Sequence, residues 1–124
     1  MLQLKPMTET FSICQVPDYS QVNFESEFFF LAQTDEEKSL VCLSADVPAN
    51  AIQADANWSA FRIEGILDFS LVGILSKLSG LLADQGIGLF AVSTYNTDYI
   101  LTKTKDFKRA LAVLKQAGYK VEER

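Results

Sequence analysis

The chain has 124 residues, of which 48% are apolar and 22% charged, and its net charge is −5. This balance is typical of one globular domain, or of two very small ones that share a core, and it excludes a disordered chain. The acidic balance argues against a nucleic-acid partner, and the absence of histidine excludes Ser-His and Cys-His nucleophile pairs and, with only two cysteines, the usual zinc sites. We therefore expect no enzyme activity, no metal and no cofactor.

The sequence does not predict export or membrane insertion. No apolar run approaches the roughly 18 residues that a membrane-spanning helix needs. The first ten residues, MLQLKPMTET, lack the basic start and the apolar core of a signal peptide. We expect a cytoplasmic protein with no membrane partner, in which Cys14 and Cys42 are buried free thiols.

Short strand-like segments fill the first half of the chain. Leu2–Lys5 alternates between apolar and polar residues and predicts an edge strand that Pro6 ends. Phe11–Val16 predicts a second strand. A short helix is expected after Pro48. An antiparallel hairpin is expected around the acidic connector TDEEK, and its two strands are Glu27–Gln33 and Ser39–Leu43.

The distribution of charge divides the chain near Asn57. Residues 1–57 carry two basic and nine acidic side chains, a net charge of −7, whereas residues 58–124 carry nine basic and seven acidic ones, a net charge of +2. The change coincides with the stretch VPANAIQADANW. We therefore predict two units, residues 1–57 and residues 58–124.

The second half begins with a strand that leads into a helix. Trp58–Glu64 alternates, which predicts a half-buried strand. The stretch EGILDF, which begins at Glu64, then joins a helix expected over Ser70–Gln85, where leucines recur at spacings of three and four. Gly86 is expected to end this helix in the left-handed conformation.

A hairpin, a helix and a final strand complete the second half. Ile87–Tyr95 and Tyr99–Lys103 predict an antiparallel hairpin with a polar turn. Thr104 is expected to be the N-cap of a second helix that Gly118 ends. Tyr119–Glu122 predicts the last strand. The order is strand, helix, strand, strand, helix, strand, which is the split βαβ arrangement of the ferredoxin-like fold.

The first half looks like a fainter copy of this plan, with a strand, a shortened crossover and a hairpin. The predicted fold class is therefore α+β. One ferredoxin-like βαββαβ unit stands in tandem with a degenerate amino-terminal unit, and the antiparallel sheets carry helices on one face.

Several motifs of the second half resemble the ACT domain, a small regulatory module of amino-acid biosynthetic enzymes. They are the helix start LDFSLVGIL, the strand GIGLFAVSTY and the strand TDYILTK. The chain is most similar to compact stand-alone tandem-ACT proteins and to the ACT units of the CASTOR arginine sensors and of the aspartate kinase regulatory region. No kinase catalytic part accompanies them in this sequence.

The resemblance implies an amino-acid ligand where the first strand meets the first helix. The first N–H groups of that helix, from Phe69 to Val72, are suited to a carboxylate. Asp68 or Asp98 is suited to an ammonium group. The predicted ligand-binding residues are Leu67, Asp68, Phe69, Ser70, Tyr95, Asn96, Thr97 and Asp98.

Each of these residues also has a purely structural interpretation. Asp68 or Ser70 suits a helix cap, and the segment Asn96–Asp98 suits an ordinary turn. The favoured function is an amino-acid-binding regulatory module without catalytic activity, acting in a homodimer or on a partner enzyme. The alternative is a structural or protein-interaction ACT-like protein that has lost ligand binding. An RNA-binding module is disfavoured because GLFAVSTY lacks the RNP signature.

Overall fold

The computed structural model describes residues 2–64 and 73–122 of the chain. This part contains seven strands and two helices, so the fold is α+β with a mainly antiparallel sheet. The strands are β1 (Gln3–Gln15), β2 (Phe29–Gln33), β3 (Lys38–Leu43), β4 (Gln53–Ile63), β5 (Phe90–Ser93), β6 (Asp98–Lys103) and β7 (Lys120–Val121). The helices are α1 (Ile74–Ala83) and α2 (Thr104–Gln116).

The chain forms two compact units that are interleaved in sequence. The carboxyl-terminal unit contains residues 2–8 and 59–122, and the amino-terminal unit contains residues 9–58. β1 and β4 each contribute residues to both units. The prediction that residues 1–57 are a degenerate ACT-like unit stays a prediction.

In the carboxyl-terminal unit, the strand order is β7-β1-β4-β6-β5. From β4 onward, the elements follow the predicted order of strand, helix, strand, strand, helix, strand. The predicted hairpin is confirmed, because β5 and β6 pair antiparallel. The sheet, however, contains one more strand than a split βαβ arrangement. β7 pairs in parallel with Gln3 and Leu4 of β1, and β1 lies between β7 and β4.

Both helices of this unit pack on one face of the sheet. Alternation along β4 places Phe61 and Ile63 on that face, where Leu78 of α1 and Leu114 of α2 join them in one buried cluster. The rings of Phe61 and Phe107 lie 6.3 Å apart. The buried residues of this cluster are Leu4, Phe61, Ile63, Leu78, Leu82, Ile87, Ile100, Phe107, Ala110 and Leu114.

Glycines end both helices, as the sequence predicts. Gly86 has φ 71° and Gly118 has φ 107°, in the left-handed region that glycine adopts without steric cost. α1 is observed from Ile74 to Ala83. Residues 70–72 of the predicted helix lie outside the described part of the chain.

The prediction that Pro6 ends the first strand is wrong. β1 continues through Pro6 to Gln15. In the parallel pairing with β7, the backbone N–H groups of Lys120 and Glu122 donate to the carbonyls of Leu2 and Leu4. The next backbone N–H on this side of β1 would belong to residue 6. Because proline has no N–H, Pro6 ends the pairing with β7 while β1 itself continues.

The prediction that Thr104 caps α2 with its side chain is also wrong. α2 begins at Thr104, its N-cap is Lys103, and no side chain makes a cap hydrogen bond there. The Thr104 hydroxyl instead pairs with the hydroxyl of Ser59 on β4, at an Oγ–Oγ1 distance of 2.9 Å. The local sequence predicts that the Thr104 hydroxyl caps the helix, but in the structure this hydroxyl bonds to Ser59, which is remote in sequence.

In the amino-terminal unit, the predicted hairpin is confirmed. β2 and β3 pair antiparallel, and β3 pairs antiparallel with residues 11–15 of β1. Cys14 and Cys42 are free and buried in one cluster, which agrees with their predicted state. The prediction of a short helix after Pro48 is wrong. A single 3₁₀ turn, Ser44–Asp46, precedes this proline, and β4 starts five residues after it.

Candidate functional site

The turn between β5 and β6 is fastened to the end of β4. Within the turn, the backbone N–H and the hydroxyl of Thr94 both donate to the carbonyl of Thr97, at 2.8 and 2.9 Å. Thr97 is 7% exposed, and its Oγ1 donates to the carbonyl of Ile63 at 2.7 Å. Thr97 therefore holds the turn against Ile63, the last residue of β4, after which the chain continues to Glu64.

The structure brings the four predicted turn residues to this end of the sheet but gives them different environments. Tyr95 is 81% exposed, and Asn96 is also exposed. Thr97 is buried and its hydroxyl is engaged with Ile63, so its role in the structure is to hold the turn. Asp98 is half-buried and begins β6.

The other four predicted residues, Leu67, Asp68, Phe69 and Ser70, lie outside the described residues. Glu64 and Gly73 are the described residues on either side of them. Contact between these four and the turn stays a prediction.

A polar cluster that the sequence did not predict lies beside the turn. On β4, Arg62 Nε donates to Glu64 Oε2 at 3.2 Å, and Arg62 Nη1 donates to the hydroxyl of Tyr99 on β6 at 3.5 Å. The hydrogen bond with Tyr99, followed by that with Glu64, raises the pKa of Arg62 above its usual range. Because Arg62 and Glu64 are two residues apart on one strand, alternation alone would place them on the same face.

A cavity of about 370 Å³ opens where α1 begins and α2 ends. Its volume lies within the range of roughly 300–1,000 Å³ that is usual for small-molecule sites. The sequence did not predict it. None of Tyr95, Asn96, Thr97 and Asp98 is among the described residues that line it, which are Leu2, Gly73, Ile74, Lys77, Ala117, Gly118 and Tyr119.

The described residues contain no group of three or more cysteine, aspartate or glutamate side chains that could hold a metal ion. Within the same residues, neither helix is long and apolar enough to cross a membrane.

Comparison with known proteins identifies the family. A model of the ACT domain matches residues 53–116, slightly more than half of the chain, from the first residue of β4 to the last residue of α2. The chain belongs to the ACT domain family. In this ACT protein, the matched segment contains both sides of the turn contact, Ile63 and Thr97, and the start of the cavity at Gly73.

Solved structures are similar to this chain in fold over almost its whole length. A protein of Agrobacterium tumefaciens is 28% identical, with a TM-score of 0.83, and the match covers 99% of this chain and 95% of that one. A Vibrio cholerae protein of unknown function, described as a possible transport protein, is 20% identical with a TM-score of 0.74 over 93% and 88% of the two chains. The ligand-free regulatory subunit of aspartate kinase from Thermus thermophilus is 10% identical with a TM-score of 0.63 over 93% and 96%.

Proposed function

We propose that this ACT protein is a non-catalytic regulatory module that binds an α-amino acid at the end of its carboxyl-terminal unit where β4 leads toward α1. The hydrogen bond from Thr97 to the Ile63 carbonyl carries the proposal, because it holds the turn Tyr95–Asp98 at the point where the chain leaves β4. Membership of the ACT family and the fold shared with a regulatory subunit of aspartate kinase support it.

In this proposal, the two predicted groups of residues face one ligand. Leu67, Asp68, Phe69 and Ser70 approach it from the strand-to-helix side, and Tyr95, Asn96 and Asp98 approach it from the turn. Asp98 is the proposed partner of the ligand ammonium group, since an ionised carboxylate forms strong charge-assisted hydrogen bonds. Thr97 positions the turn, because its hydroxyl already donates to Ile63.

We also propose that the amino-terminal residues 1–57 are a degenerate ACT-like unit. Its confirmed hairpin, β2 and β3, supports this view, and so does the pairing of β3 with β1. The module is proposed to act in the cytoplasm, either on a separate enzyme or through a second copy of the chain.

A thermal-denaturation screen against the standard amino acids and common nucleotides tests the proposal. A ligand present at a hundred times its dissociation constant should stabilise the folded protein by about 2.7 kcal/mol. Asp98→Ala should abolish the shift given by the best amino acid and leave the unliganded melting temperature nearly unchanged. Asp35→Ala, which removes an equal charge from the exposed turn between β2 and β3, should retain the shift.

A profile without any amino-acid shift at millimolar concentrations would contradict the proposal. It would favour the second candidate, a protein-interaction role, which one observation supports. β5 stands at the end of the strand order, and its sequence, FAVS, contains none of the charged residues that commonly protect an edge strand from pairing. Concentration-dependent dimerisation in sedimentation experiments, lost when Val92 is replaced by lysine, would then identify β5 as the contact.

A further inference from the structure

The strand β2 is an edge of the sheet in the amino-terminal unit, at one end of the strand order of the described residues. Just beyond β2, Thr34 N–H donates to the Glu37 carbonyl at 2.9 Å. Because hydrogen-bonded and non-hydrogen-bonded pairs alternate along an antiparallel ladder, Phe30 and Ala32 direct their N–H and C=O groups toward β3. The residues whose backbone groups point to the outer edge are therefore Phe29, Leu31 and Gln33.

Large apolar side chains are exposed along this edge. Leu31 is 38% exposed and Phe24 is 54% exposed. The ring of Phe24 meets the ring of Phe29 edge-on, with 5.7 Å between the ring centroids. Phe29 and Leu31 share one face of β2 by alternation, and the strand, FFLAQ, contains no charged residue. An edge with outward backbone groups and exposed apolar side chains is suited to pairing with an added strand.

Acidic side chains stand at both ends of this edge. Residues 9–58 contain nine acidic side chains and one basic side chain, a net charge of −8. Five of the acidic ones are exposed and lie directly before or after β2: Glu25, Glu27, Asp35, Glu36 and Glu37. The edge therefore has an apolar centre between two acidic ends, which complements a segment that is apolar in the centre and basic at both ends.

The same charges disfavour a second copy of the chain at this edge. A two-fold axis at Leu31 would pair β2 with β2 in the antiparallel direction and place Glu27 opposite Asp35 of the second copy. Like charges directly opposite each other destabilise a pair of strands. The acidic ends thus protect β2 from pairing with itself and leave a basic partner as the one that fits.

We propose that β2 binds an extended segment of a partner protein by strand addition, and that this segment has apolar residues in its centre and lysine or arginine at both ends. The outward N–H and C=O groups of β2 pair with the backbone of the segment. Leu31 and Phe24 contact its apolar side chains, and the acidic ends of the edge meet its basic ends. The surface lies in the amino-terminal unit, so the proposal is independent of amino-acid binding in the carboxyl-terminal unit.

Fluorescence anisotropy with labelled synthetic peptides tests the proposal. The probe KRVTVTVRK places five alternating residues, which is the length of β2, between basic ends. It should bind saturably. Two control peptides should each bind more weakly by about tenfold or more. EDVTVTVDE has acidic ends, and KRVTPPVRK has consecutive prolines that remove a backbone donor from each of its edges.

Variants of the protein separate strand addition from charge attraction. Leu31→Pro removes an outward donor that the ladder with β3 does not use, so the variant should fold and bind KRVTVTVRK weaker by about tenfold or more. Leu31→Val keeps the donor and should bind as the wild type does. Glu36→Gln together with Glu37→Gln should weaken binding about fivefold. Glu9→Gln together with Asp55→Asn removes the same charge from β1 and β4 of this unit and should leave binding unchanged.

The proposal is overturned if KRVTVTVRK does not bind saturably, if EDVTVTVDE binds equally well, or if binding survives Leu31→Pro in a variant whose circular dichroism confirms folding. Should Leu31→Pro fail to fold, equal binding of KRVTPPVRK overturns it instead. Dimerisation of the wild type in sedimentation experiments that Leu31→Pro abolishes would assign β2 to a second copy and also overturn the proposal. Asp98→Ala should bind KRVTVTVRK as the wild type does, which separates this result from amino-acid binding.

Discussion

Removal of the Thr97 hydroxyl tests how the hairpin turn is fastened to β4. Valine has nearly the same shape as threonine but cannot donate, so Thr97→Val leaves the Ile63 carbonyl without the donor that now lies 2.7 Å away. Thr97 is 7% exposed, and water has little access to replace that donor. A buried polar group without its partner costs about 1–3 kcal/mol. We expect Thr97→Val to lower the free energy of unfolding by about 2 kcal/mol.

Urea denaturation followed by circular dichroism measures this loss. Thr97→Ser keeps the hydroxyl and should recover most of the stability. Thr10→Val, at an exposed position of β1, should stay within about 0.5 kcal/mol of the wild type. The reasoning is refuted if Thr97→Val changes the free energy of unfolding by less than about 0.5 kcal/mol, or if Thr97→Ser loses as much as Thr97→Val.

Two glycines should respond to alanine in opposite directions, although a Cβ at either has open space around it. Gly86→Ala should destabilise by about 1 kcal/mol because φ is 71°, whereas Gly80→Ala, inside α1, should stabilise by about 0.5–1 kcal/mol; equal melting temperatures would contradict this. Iodoacetamide at pH 8 should modify Cys14 and Cys42 only after unfolding, since both thiols are buried; mass spectrometry detects labelling. Burial raises the pKa of Cys42 to about 12, so the unfolded chain loses this proton first and stability should fall between pH 9 and 12, by up to about 1.4 kcal/mol per pH unit. Cys42→Val should show a shallower fall.

Local pattern predicted much of the carboxyl-terminal unit. The periodic apolar residues and the terminal glycine of α2 lie in one continuous segment, and the hairpin of β5 and β6 has its turn residues between two strand-like runs. Such elements are specified by neighbours within a few residues, so sequence reasoning reaches them. The ACT resemblance of this segment was confirmed for the same reason.

Features that depend on remote residues were missed or wrong. Pro6 ends the pairing of β1 with β7, a strand more than a hundred residues later in the chain. The hydrogen bond of the Thr104 hydroxyl depends on Ser59. The cavity joins Leu2 to Tyr119 through a sheet order in which β1 separates β7 from β4. Arg62 and Glu64 are adjacent on one face by alternation, so their contact was accessible from sequence, whereas the approach of Tyr99 required the pairing of β4 with β6.

The most direct test of amino-acid binding by the carboxyl-terminal unit is a titration of ¹⁵N-labelled protein with the amino acid that gives the largest thermal shift, followed through backbone amide chemical shifts. Our account predicts saturable shifts at Gly73 and at the turn residues Asn96 and Asp98, with one common dissociation constant. Amides of β2 and β3 in the amino-terminal unit should remain unchanged. Saturable shifts confined to β2 and β3, or no saturable shift with any standard amino acid, would contradict the account.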